Sequence, residues 1–132
     1  MNILFTCVGR RKYLVDYFKA EKNYITKLVG VDMSNTAPAL AACDSWHLVP
    51  SVYDENYISS LLDISKIENI NVLISLNDME LPILAKARGE FEQIGVQLVL
   101  ANNSAIDICS DKFKTFEFCI EQNIPAPLSF VN

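Results

Sequence analysis

Five short apolar runs, each followed by a segment of helical character, constrain the fold of this chain more than anything else in it. The runs fall near residues 2–8, 27–32, 45–49, 71–76 and 96–100 and are rich in Val, Ile, Leu and Phe. A strand buried on both faces of a parallel sheet reads as such a continuous run, without in–out alternation. Between the runs, Tyr13, Leu14, Tyr17 and Phe18 recur at helical spacing, as do Tyr57, Ile58, Leu61, Leu62 and Ile64 after a helix start at Asp54. Ala37 to Ala42 predict a short helix with Pro38 in its first turn, and Leu81 to Ile94 a longer one ended by Gly95. Ser104, with Asp107 three residues on, reads as the cap of a further short helix. Strands alternating with helices specify an α/β fold with an open, mainly parallel five-stranded sheet. Right-handed connections then place helices on both faces.

The 132 residues carry a net charge of −5, which argues against a nucleic-acid surface. No apolar run reaches the roughly 18–20 residues of a membrane helix, and Met1-Asn2 leads directly into a strand, with no signal-peptide pattern. The chain therefore reads as cytoplasmic, with no membrane partner. Cys7, Cys43, Cys109 and Cys119 are scattered, with no C-x-x-C pair and no histidine nearby, so they read as reduced and structural, and no metal site is expected.

In an open parallel sheet, ligands bind outside the carboxyl ends of the strands. That edge should carry Gly9, Arg10 and Arg11 after the first strand, Asp32 after the second, and Asn77, Asp78 and Glu80 after the fourth. Gly9 alone cannot supply the G-x-G-x-x-G dinucleotide turn. Arg10 and Arg11 at a helix start suit recognition of a phosphate or carboxylate, or else form a solvated pair. Asp32 can serve as a turn residue or a ligand, and Asn77 to Glu80 fit a capping box or a rim contact. Pro82 argues that the helix after them starts late.

The tail reads as a helix that opens at Asp111-Lys112, stops at Asn123 and passes through Pro125 and Pro127 into a new strand. A compact α/β domain is expected over 1–122, with 123–132 the start of a second domain cut short. Lys112, in the first turn, opposes the helix dipole, so it is either a solvated lysine or a phosphate contact.

Asp111-Lys112, the helix, and the Asn123-Ile-Pro-Ala-Pro turn resemble the ATP-grasp superfamily. The preceding segment is similar to that family's preATP-grasp domain, a Rossmann-like unit without a nucleotide fingerprint of its own. Residues Phe5 to Arg11 and Asn77 to Leu81 most resemble proteins described as carbamoyl-phosphate-synthase large-subunit-like, and the ligase of pyrrolysine biosynthesis. The resemblance spans the whole chain; Asn123 stands where the family commonly has Gly, a substitution the left-handed conformation tolerates. It implies ATP-dependent ligation of a small carboxylate substrate to an amine, with ATP and Mg²⁺ bound in the full-length protein and none by this chain alone. It also implies that Lys112 reaches nucleotide phosphate, that the rim residues line the acceptor side, and that a downstream ATP-grasp domain completes the enzyme. The chain alone is expected to be inert, and a homodimer is among the assemblies left open. The residues also leave open a non-catalytic Rossmann-like binding or regulatory module. A nucleotide-dependent transferase or reductase with a non-standard glycine turn is the third reading.

Overall fold

In the computed structural model, which describes residues 1–130, the apolar runs pair side by side in a sheet of five parallel strands. These are β1 (Asn2–Thr6), β2 (Lys27–Asp32), β3 (Ser45–Leu48), β4 (Val72–Ser75) and β5 (Gln97–Leu98), in the order β3-β2-β1-β4-β5. Register explains the unbroken apolar runs. Leu98, Leu73, Leu4 and Val29 are in register across the sheet and enter one core cluster. Their neighbours Ile3, Phe5 and Leu28 enter a second cluster on the opposite face. Both faces are buried, so both sets of side chains must be apolar.

Helix α1 (Lys12–Ala20) covers one face through Val15 and Phe18. The other face is covered by α2 (Tyr57–Ile67), α3 (Leu81–Lys86) and α4 (Arg88–Gln93), through Tyr57, Leu61, Leu84 and Phe91. Each such buried side chain stabilises the fold by about 1.5–3 kcal/mol. Gly30 lies beside Phe5 in the ladder, and a Cβ there would stand 2.5 Å from Cys43 Sγ, so only glycine lets that loop pack down.

Several local expectations are corrected. Tyr13 and Tyr17 do not face the core; they are exposed and pack edge-to-face on each other, while Val15 is the buried residue of α1. The helix expected from Asp54 starts at Tyr57, because Asp54 turns its carboxylate onto the Asn56 amide at 2.8 Å. The Ala37–Ala42 helix contracts to a single 3₁₀ turn at Leu40–Ala42. The Leu81–Ile94 helix breaks at Ala87, whose ψ of 2° interrupts the α geometry.

The chain divides into two compact units, Met1–Leu100 and the segment from Ala101 onward. The second holds α5 (Asn103–Ser110) and α6 (Lys112–Glu121). Asn102, not Ser104, caps α5, its side chain accepting from the Ala105 amide at 2.8 Å. Asp111 caps α6 through the Phe113 and Lys114 amides. Asn123 ends α6 at φ 56°, with Ile124 N–H donating to Cys119 C=O at 2.8 Å and Asn123 N–H to Ile120 C=O at 3.1 Å. That is the Schellman arrangement, with asparagine in the left-handed position. Among the described residues no strand follows: Leu128 and Phe130 are exposed with no ladder partner, and the rest of the expected strand, Val131 and Asn132, lies outside the described residues.

Candidate functional site

The candidate site is built where the sheet's carboxyl edge opens, next to the point at which strand order reverses between β1 and β4. After Thr6 the backbone turns sharply, with Cys7 at φ 51° and Gly9 at φ 49°. The Gly9 N–H donates to Asp32 Oδ2 at 2.9 Å, and the other oxygen of that carboxylate takes the Ser34 N–H at 3.0 Å. Asp32 thus ties the turn after β1 to the turn after β2. The Arg11 side chain folds back, its Nη1 lying 3.6 Å from where a Cβ on Gly9 would be.

After β4, Asn77 accepts the Met79 N–H at 3.2 Å and starts a 3₁₀ turn (Asp78–Glu80) that runs directly into α3. The tighter 3₁₀ turn carries Glu80 inward rather than back toward Asn77. Its carboxylate is fully buried, with Thr6 Oγ1 donating at 2.7 Å, Ser75 Oγ at 2.6 Å and the Tyr57 hydroxyl at 2.5 Å. No cation reaches it among the described ion pairs. Three charge-assisted hydroxyl bonds, with the N-terminus of α3 where Glu80 stands as cap residue, offset the cost of burying the charge.

Above this carboxylate lies a cleft of about 350 Å³, lined by Cys7, Gly9, Arg11, Asp32, Val49, Tyr57 and Asn77 among others. Its floor is held in the protonated state. Burial, then the Glu80 charge, pushes the Cys7 thiol up to about 11, and the same two causes raise the Tyr57 phenol. Cys7 is therefore a thiol and a poor nucleophile near neutral pH. Its sulfur lies 3.8 Å from the Tyr57 oxygen.

Of the residues singled out from sequence, Gly9, Arg11, Asp32 and Asn77 meet at this cleft. Arg10 and Asp78 are exposed outside its lining, and Glu80 lies beneath it rather than on the rim. Lys112 is exposed at the first position of α6, in the second unit. Sequence reasoning missed Thr6, Cys7, Tyr57 and Ser75. Tyr57 read only as one apolar position of a helix, and Thr6 and Ser75 as positions within strand runs; their hydroxyls carried no spacing signal.

The opposite, amino edge of the sheet holds a second buried carboxylate. Glu68 accepts from Lys27, from His47 Nε2 at 2.6 Å and from Ser45 Oγ at 3.0 Å. The Lys27 ammonium, with His47 and Ser45, holds it down at about 2.

A fold of strand order 3-2-1-4-5 with its cleft at the reversal point defines a Rossmann-like class. The chain belongs to the family of PylC-like N-terminal domains, whose model matches residues 3–99. It is 30% identical over 131 residues to a carbamoyl-phosphate synthase of Methanobrevibacter smithii, covering 96% of this chain and 33% of that protein. The chain thus spans about a third of that relative. Among solved structures it resembles the biotin carboxylase domain of a single-chain bacterial carboxylase (TM-score 0.67, 13% identity, 94% of this chain and 29% of that one). It also resembles the phosphoribosylaminoimidazole carboxylase ATPase subunit of Aquifex aeolicus (TM-score 0.60, 14% identity, 97% of this chain and 35% of that one). At those identities the likeness is one of fold. The family is thus that of the PylC-like N-terminal domains, and the fold is one shared with the carboxylase structures.

Proposed function

We propose that this chain is the preATP-grasp portion of an ATP-dependent carboxylate–amine ligase, supplying the acceptor-side wall of an active site completed by a downstream ATP-grasp domain. The single observation that carries the reading is the family match over residues 3–99, which coincides with the unit that bears the cleft. In this reading residues 1–122 are the preATP-grasp domain and 123–132 begin the next. The whole enzyme works in the cytoplasm on a small carboxylate, as a monomer or a homodimer.

The chain's own residues have limited roles in that scheme. Arg11 offers a planar, bidentate donor to a carboxylate in the cleft. Asp32 and Asn77 hold the two turns that shape the wall, and Arg10 and Asp78 lie outside it, free to meet the domain that follows. Lys112, exposed at the start of α6, is the phosphate contact. ATP would supply the phosphoryl group that activates the carboxylate. The residues present do not by themselves fit Mg²⁺: among the described residues no three His, Cys, Asp or Glu side chains converge as a metal site. The chain alone is inert.

The test is ADP release by the complete gene product, presented with a panel of small carboxylates and amines. Release that needs both partners supports the ligase; release with neither, or none with any pair, opposes it. Lys112→Ala should lower ATP affinity roughly ten- to hundred-fold, the worth of a charge-assisted contact, with the N-terminal unit still folded. An unchanged mutant removes Lys112 from the phosphate site.

A further inference from the structure

The floor of the cleft has a fixed hydrogen-bond polarity. Tyr57 is fully buried, and its hydroxyl has one proton. That proton goes to Glu80 Oε1, at 2.5 Å. Glu80 cannot turn away, because Thr6 and Ser75 hold its other oxygen at 2.7 and 2.6 Å. What Tyr57 presents to the cleft is therefore a lone pair. The Cys7 sulfur lies 3.8 Å from the Tyr57 oxygen, a weak and distant partner for that lone pair. That lone pair can accept from a stronger donor brought into the cleft.

We infer that Tyr57 is a specificity-determining acceptor, held in that role by Glu80 as a positioning residue, and that the cleft takes a ligand presenting a protonated amine to its floor. The inference rests on the reading of this cleft as the ligase's small-molecule site. Charge agrees with it: Asp32 in the wall and Glu80 below the floor outnumber the one cation, Arg11, that lines the cleft. An N–H of the ligand donates to the Tyr57 oxygen in place of the thiol; no covalent step is involved.

The experiment is an NMR titration of the 132-residue chain with two probes, methylammonium and acetate, following the amides of residues 6–11, 57 and 77. Methylammonium should shift the Cys7 and Tyr57 signals, and Tyr57→Phe should weaken that binding about tenfold while leaving acetate binding unchanged. Glu80→Gln should do the same, because an amide frees the Tyr57 proton to point into the cleft. A Tyr57→Phe chain that stays folded and binds methylammonium as the parent does would overturn the inference. Acetate binding without methylammonium binding also overturns it and leaves the cleft reading intact. Binding of neither probe to the folded chain also overturns the inference.

Discussion

At the amino edge of the sheet Glu68 meets a lysine, a histidine and a serine; at the carboxyl edge Glu80 meets only hydroxyls, from Thr6, Tyr57 and Ser75. Both carboxylates are buried, yet among the described ion pairs only the first has a lysine. A carboxylate neutralised by a cation fastens β2 and β3 to the end of α2 and asks nothing further of its surroundings. One held by hydroxyls lies beneath the cleft, where, after burial itself, it raises its neighbours' pKa values. The amino edge is pinned by an ion pair, and the carboxyl edge carries the cleft with a buried carboxylate beneath it.

The largest expected effect sharpens this contrast. Glu80→Ala leaves three buried hydroxyls without their acceptor and should cost about 3–5 kcal/mol in urea unfolding. Replacing Glu80 by Leu together with Thr6→Val, Tyr57→Phe and Ser75→Ala should recover most of that loss, since matched apolar groups need no acceptor. If Glu80→Ala costs under about 1 kcal/mol, the network is not holding the edge together.

The next effect belongs to the amino edge. Glu68 is depressed from 4.5 to about 2 in the folded chain. Its stabilisation is therefore complete above about pH 4.5 and is lost as pH falls toward 2, up to about 3 kcal/mol in all. Unfolding midpoints from pH 6 to 2 should fall over that window, and Glu68→Gln should flatten that part of the curve. A wild-type curve that stays flat through the window would contradict the ion-pair account.

A smaller effect tests the field of Glu80. Cys7 should react with a thiol reagent at pH 8 far more slowly than exposed Cys109, and Glu80→Gln should speed it severalfold by removing one cause of the raised pKa. No acceleration would mean that burial alone protects the thiol.

How much of this was legible in the sequence follows from what each signal depends on. The five strands and their parallel pairing came through because burial on both faces forces unbroken apolar runs, and β2 fell on its expected bounds, 27–32. Asn123 was legible as a left-handed stop because its helix end has one common solution. The stripe on α1 was misread because Tyr13 and Tyr17 are amphipathic and satisfied each other in solvent. The expected strand after Pro127 is missing from the described residues, because a strand exists only with a partner to pair with. The convergence of Gly9, Arg11, Asp32 and Asn77 on one cleft was legible because each lies at or just after the carboxyl end of a strand. Glu80 was placed on the rim because sequence cannot tell a 3₁₀ turn from a wider loop, and that one turn decides whether the carboxylate faces solvent or Tyr57.

The most direct test of the contrast uses the complete gene product and one cation from each edge. Arg11→Ala removes the guanidinium from the cleft, and Lys27→Met removes the ammonium from Glu68. If the carboxyl edge receives the carboxylate substrate, kcat/KM for it should fall roughly ten- to hundred-fold in Arg11→Ala, the worth of a charge-assisted contact. Lys27→Met should lower stability and leave kcat/KM within about twofold, as expected for a residue that acts only on the fold. Full activity in Arg11→Ala, or a loss confined to a folded Lys27→Met, would contradict the account.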